Sequence, residues 1–458
     1  MRTSSQLLFV GALLAFGSAA CGDFLSGPGL TTDPNAPSNA TRDQRLAAVE
    51  ATMTVQLTGD LARSACMWMQ QCAGVDRQYA GRELYNTTST DFDTFFIAVY
   101  TGGGLIDIRA IEADAAAAGD SVYVGVGKVL EAIDVGLAAD LWGDIPYSDA
   151  VGANPTPRYD TQQAVYAALL TVLDQAISEL AGPGSGPGQV DLWYFGDKPS
   201  WTELAHTLKA RIYLHLAQRN GTAAYASALS EAKLGLSTAA HNLRTFASAA
   251  TTENNLWYQF QIIQRDTYLR MGAELVDSIM NKRSDPRLAN YFSPISASGP
   301  PVYHGAKPGD SFNPAVQSNL SAARLDPAFH QPIATHAEVQ LIIAEAAYQT
   351  GDATQALDSL NAERTGAGLP TIAAAGAALL DSIMIEKYVV MFQNIETWND
   401  LKRECIPALV PASSVAGGHV ISRPLYGATE ESANPNAPPD PASGRNWNDP
   451  RTATDPCP

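Results

Sequence analysis

The side chains that could do acid–base or covalent chemistry are few in this chain, and poorly arranged for it. Seven histidines are spread over 458 residues. His206 and His215 share one helical stretch, but nine residues turn a helix through about 900°, onto opposite faces. His330 and His336 lack the spacing of zinc ligands. Gly125-Val126-Gly127-Lys128 begins like a phosphate loop, yet Val122 holds the first glycine position and Val129 the Ser/Thr position. Ser185 has Pro183 and Pro187 where a nucleophile elbow needs glycines. Paired carboxylates are abundant, as in any acidic chain, and no spacing marks a catalytic pair. The expectation is a protein that is not an enzyme, with no metal site and no cofactor.

The cysteines point elsewhere. Arg2 precedes the apolar run Leu7 to Phe16, which is too short to span a bilayer. Gly17-Ser18-Ala19-Ala20 then leads into Cys21, the processing pattern of a bacterial lipoprotein, with Ser18 where Leu is preferred. Residues 1–20 are expected to be the signal peptide, Cys21 the lipidated (palmitate-bearing) N-terminus, and 21–40 the anchor and tether. Four cysteines remain: Cys66, Cys72, Cys405 and Cys457. An exported chain with four should form two disulfides, with three connectivities open. Proximity favours Cys66–Cys72, which needs a turn because six helical residues rise about 9 Å. Cys405–Cys457 is what then remains.

Charge narrows the partners. Acidic residues outnumber basic ones 47 to 29, a net charge of -18. Such a chain repels phosphate backbones, so nucleic acid is excluded, and it cannot hold an anionic membrane by charge. The membrane is reached through the lipid alone.

The elements that must position any site are mostly helices. Leu46, Val49, Met53 and Leu57 fall on one helical face, as do Trp201, Leu204, Leu208, Ile212 and Leu216, and Val339, Ile342, Ile343 and Ala346. Further helices are expected near 92–117, 121–140, 160–181, 267–282 and 376–403. Ala347-Tyr348, Gly351-Asp352, Ala356 and Leu360 have the tetratricopeptide spacing. Gly221 and Ala226 repeat its Gly-to-Ala interval, and Gly143-Asp144 a looser form. Segments 64–92, 182–200, 284–332 and 406–458 read as coil-rich insertions. The expected fold is mainly all-α, one domain over 41–458, with helix pairs, long insertions and few short strands.

One motif carries a family resemblance. Ala139-Asp140-Leu141-Trp142-Gly143-Asp144-Ile145-Pro146-Tyr147-Ser148-Asp149-Ala150 closely resembles the signature of the SusD/RagB-like family, surface lipoproteins serving TonB-dependent outer-membrane transporters. Similar matches follow in family order: Cys21-Gly22-Asp23-Phe24-Leu25, Tyr194-Phe195-Gly196-Asp197 with Trp201, Asp285-Pro286-Arg287-Leu288, Trp398-Asn399-Asp400-Leu401-Lys402-Arg403, and Arg423-Pro424. The resemblance implies an outer-membrane, outward-facing protein that binds a nutrient, an oligosaccharide before a peptide, and delivers it to a SusC-like transporter. A helical glycoside hydrolase and a repeat scaffold for envelope proteins are the alternatives. Trp142, Tyr147, Trp398 and Arg403 are expected to anchor the fold. Ligand contacts are expected from aromatic and polar residues in coil: Trp68, Arg77, Tyr79, Tyr85, Trp257, Tyr258 and Tyr303. Trp68 leads this set, since a Cys66–Cys72 loop would present it rigidly. The helix pairs would be left to face the transporter.

Overall fold

A computed structural model describes residues 40–451 except 297, 414–418 and 442–443. The segment expected to be a signal peptide, Cys21, the expected tether as far as residue 39, and Cys457 lie outside the described residues. So does the pairing expected between Cys405 and Cys457.

Periodic apolar stretches fold as helices. α1 (Arg42–Thr58) opens on a capping box in which the Thr41 and Gln44 side chains each accept the other's backbone N–H, and it buries Leu46, Val49 and Met53. α2 (Asp60–Trp68), α3 (Arg77–Glu83), α4 (Asp93–Ala98) and α5 (Leu105–Ala117) follow. α6 (Ser121–Trp142) is buried on nearly every face, as a helix with neighbours all round must be. α7 (Gln162–Leu180) packs on α6, then α8 (Lys198–His215) on α7 and α9 (Thr222–Ala232) on α8. The stack continues through α10 (His336–Gln349), α11 (Ala353–Gly366) and α12 (Ala377–Val390), with α13 (Glu396–Glu404) beyond. Strands are few and short: Cys72–Gly74 pairs with Leu269–Met271, Ile145–Pro146 with Tyr159–Asp160, and Leu243–Arg244 with Pro332–Ala334, all antiparallel. No helix among the described residues is long and apolar enough to cross a membrane.

The α10–α11 pair has the tetratricopeptide form. Gly351 turns the chain at φ 91°, Asp352 caps α11 by accepting Gln355 N–H at 3.0 Å, and Ala347, Ala356 and Leu360 meet in a small core. At the second site Ala226 is exposed, and Ala224, Ala228 and Ala232 form the buried stripe instead. The i, i+4 period there starts two residues earlier than the Gly-to-Ala interval suggests.

Three expected segments fold differently. The stretch 64–92 is not chiefly coil: it holds the end of α2, a strand, α3 and a short 3₁₀ turn at Ser89–Asp91. Such short elements complete too few turns for a period to show. The stretch 267–282 is a strand followed by a π-helix, Glu274–Asn281. The stretch 92–117 breaks at Gly102-Gly103-Gly104, where Gly103 takes φ 82° and a Cβ on Gly104 would lie 2.3 Å from the Ala98 carbonyl oxygen.

The signature motif is an anchor point. Gly143, at φ 82°, ends α6 and returns its N–H to the Ala139 carbonyl at 3.0 Å. The Trp142 indole donates to the Leu425 carbonyl at 2.9 Å, and Trp398 does the same to Ile421 at 2.8 Å. Arg423 closes the strap by donating to the Trp142 carbonyl at 3.0 Å. The C-terminal coil is thus pinned across α6 and α13. Trp142, Tyr147, Trp398 and Arg403 are all buried.

Candidate functional site

Five of the seven expected contact residues are interior. Trp68 is the last residue of α2 and 1% exposed; its indole donates to the Arg82 carbonyl, and its ring meets Trp398 edge-on at 4.9 Å. The Cys66–Cys72 disulfide is present, and the turn it spans, with Gln70 at φ 54°, directs Trp68 into the core. Tyr85 is buried with its hydroxyl accepting Ala412 N–H at 3.1 Å. Trp257 and Tyr303 are buried as well. None of these rings offers a face to a ligand. Large aromatics contribute most to burial, so short irregular segments that carry them tend to fold inward.

Tyr79 is also buried, but directly beneath a surface. Its hydroxyl bonds Asp60 and accepts from Arg63 Nε at 2.8 Å. Its ring stacks on Phe260 at 4.9 Å, and the Arg63 guanidinium lies 4.2 Å over that same Phe260. Arg82 completes the cluster with a 2.5 Å bond to Asp60. Burial would raise the Asp60 carboxyl, but Arg63 and Arg82 beside it hold it below its ordinary range. Asp91, 3.4 Å from Arg82, brings this floor to two carboxylates against two guanidiniums.

Two elements carry the surface above that floor. α3 begins at Arg77, whose side chain is 71% exposed and whose φ is 52°, with its N–H on Asp76 Oδ1. A left-handed arginine costs on the order of 1 kcal/mol or more, and such strain concentrates where a side chain must be aimed. Facing α3 is the helix that opens at Leu256–Tyr258 and widens to a π-helix over Gln259–Gln264, a form common at functional sites. Bonds between the segments that flank them join the two: Val75 N–H donates to Tyr268 O at 3.0 Å, and the Thr267 hydroxyl to the Asp76 carboxylate at 2.6 Å. Tyr258 and Tyr268 are half-buried, Arg265 is exposed with its guanidinium 5.3 Å over Tyr268, and Ile262 and Ile263 are open to solvent. Arg77, Arg265 and Tyr268 therefore converge on one patch over Tyr79, while Tyr258, two helical positions before Phe260, is turned to the other side of its helix. Phe260, Arg265 and Tyr268 were missed; the run Ile262 to Tyr268, apolar then charged then aromatic, was the available signal.

A second cluster is wholly internal. His215 lies between Asp140 (Nδ1 to Oδ1, 2.9 Å) and Glu396 (Nε2 to Oε1, 2.6 Å), while His206 on the same helix pairs with Glu231 instead. These three side chains are a conceivable metal donor set. The two carboxylates, however, occupy opposite edges of the ring, so one ion could replace only one of the two contacts. Burial would lower the imidazolium, but Asp140 and Glu396 push it up to about 10. It is a charged tie between α6, α8 and α13. The adjoining cavity is about 60 Å³, room for a few waters and no nutrient.

Asp140, like the buried Trp142 and Tyr147, belongs to the signature motif, and a family described as starch-binding and associating with the outer membrane matches residues 34–427. The chain belongs to the SusD-like family. Solved structures of this SusD-like fold agree along the length of the chain. A SusD/RagB family protein of Bacteroides thetaiotaomicron is 22% identical, with 87% of this chain and 95% of that one covered at a TM-score of 0.72. A chitin-binding SusD homolog from Flavobacterium johnsoniae is 20% identical, covering 90% and 99% at 0.73. No curated protein matches the sequence. SusD-like proteins bind rather than turn over.

Proposed function

We propose that this SusD-like chain is a lipid-anchored outer-membrane protein that binds an oligosaccharide and passes it to a SusC-like TonB-dependent transporter. The family match over 34–427, described as starch-binding and associating with the outer membrane, is the observation that carries this reading. The chitin-binding homolog adds a second glycan to the fold's repertoire. Cys21 is the anchor in this account, 41–458 one domain, and Cys405–Cys457 a second disulfide that holds the C-terminal strap.

The patch over Tyr79 is the ligand site in this reading. Half-buried Tyr268 supplies a flat apolar face for sugar CH groups, and Arg77 and Arg265 supply donors for hydroxyls. The test is a panel of glycans and peptides offered to the lipid-free protein, followed by titration of each hit against Arg77→Ala and Tyr268→Ala. Binding confined to peptides, or unaffected by both substitutions, would count against it.

A further inference from the structure

A separate cavity of about 380 Å³ lies between α1 and the segment 245–259, floored by Leu192 and Trp193. Glu50 of α1 lines it and is fully buried. Its Oε2 accepts Leu192 N–H at 2.8 Å, while Oε1 receives no hydrogen bond. The neighbouring carboxylate, Asp191, adds like charge rather than a cation. Asp191 is committed to four donors of its own: the N–H groups of Trp193, Tyr194 and Gly196, and the Trp201 indole.

Some buried carboxylates in this protein have cations, as Glu338 has Arg211 at 2.6 Å and Glu386 has Arg287 at 2.7 Å. Glu50, like Glu83 and Asp134, has none, and is set apart from those two by lining a cavity. No Lys, Arg or His is among the described residues lining the cavity. The walls instead combine the rings of Trp193 and Phe246 and a few aliphatic side chains with neutral Thr, Asn and Gln side chains, and a second acid, Glu253, sits at the exposed rim. Trp193 is itself braced by stacking on Trp201 at 6.2 Å. Aromatic walls around an unpaired carboxyl are the setting in which an ammonium group is recognised.

We infer that this cavity is a binding site for a small organic cation, an ammonium group carried on an apolar or ring body, with Glu50 as its counter-charge. Its size suits one such molecule. An anion finds no cationic partner there. In the empty cavity burial, and then Asp191, keep Glu50 protonated well above the ordinary carboxyl range. A bound ammonium takes the place of that proton, which leaves to solvent: the carboxyl O–H bond breaks, the ion pair forms, and charge is conserved.

Titration calorimetry of the lipid-free protein with phenethylammonium at about pH 6, in two buffers of different ionisation enthalpy, tests this. The expected result is binding with release of close to one proton, and at least tenfold weaker binding of the neutral isostere 2-phenylethanol. Glu50→Gln keeps the shape and should lose at least tenfold for the amine. Val55→Trp, at a position 48% exposed on the cavity's rim, should block entry without touching Glu50, and it decides the matter if the Gln variant does not fold. No binding of the amine, equal binding of the alcohol, no proton release, or full affinity in either folded variant overturns the proposal. Glycan binding at the Tyr79 patch should be unchanged in both variants, so the two sites fail separately.

Discussion

Tyr79 stacks on Phe260 with ring centroids 4.9 Å apart, and that contact joins α3 to the π-helical segment that faces it. The floor of the proposed site is therefore part of the core, and the ligand-facing residues stand on it. Stability and affinity should separate accordingly. Tyr79→Ala should cost about 3–5 kcal/mol of folding stability by opening a cavity. Arg77→Ala should leave stability within about 0.5 kcal/mol or raise the melting point slightly, since it removes only an exposed side chain. Urea denaturation of both variants checks the contrast.

Trp68 makes the same point more sharply. Its indole is enclosed by Trp398 and Phe92 and bonded to the Arg82 carbonyl. Trp68→Ala should lower stability by about 3–5 kcal/mol. Where the variant still folds, ligand affinity should persist, measured by titration at a temperature well below its melting point.

The tie at His215 predicts an alkaline weakness. Its folded pKa of about 10 lies above the ordinary value near 6.5. The stabilisation is then complete below about pH 6.5 and is lost as pH rises through 10. His215→Ala leaves Asp140 and Glu396 buried against each other and should cost about 3–5 kcal/mol at pH 6. Melting temperatures from pH 5 to 10 should fall along the wild-type curve and be flatter in the variant.

Glu112 acts in the same direction from a different cause. Burial, and then Glu131 beside it, pushes its carboxyl up to about 8. A raised acid binds its proton more tightly when folded, so its contribution is intact below about pH 4.5 and lost as pH rises through 8. Glu112→Gln, which cannot ionise, should be more stable than wild type at pH 9 and near neutral in effect at pH 5. The same melting series reads this.

The sequence made some of this architecture legible and hid the rest for physical reasons. α1, α8 and α10 could be read because each repeats its apolar residues over about two or more turns on one face. The signature turn was readable because Gly143 and Trp142 are tied to fixed backbone geometry. Trp68, Tyr85, Trp257 and Tyr303 were read as ligand-facing because they sit in short segments without a period. What buries them is tertiary: Trp68 meets Trp398 and Tyr85 meets Ala412, partners far away in the chain. Tyr268 went unnoticed for a related reason. The stretch beginning at 267 has helical spacing, but strand pairing of Leu269–Met271 with Cys72–Gly74 overrides it and leaves Tyr268 half-buried against Tyr79 and Phe260.

The most direct test of glycan capture at the Tyr79 patch is a titration of the lipid-free protein with the strongest oligosaccharide from a glycan panel, repeated for Tyr268→Ala. Chromatography of the glycan afterwards reports any hydrolysis. The account predicts saturable binding, an intact glycan, and a loss of about 1–3 kcal/mol in the variant, the size of one aromatic platform. A shortened glycan, or equal affinity in the two proteins, would contradict it.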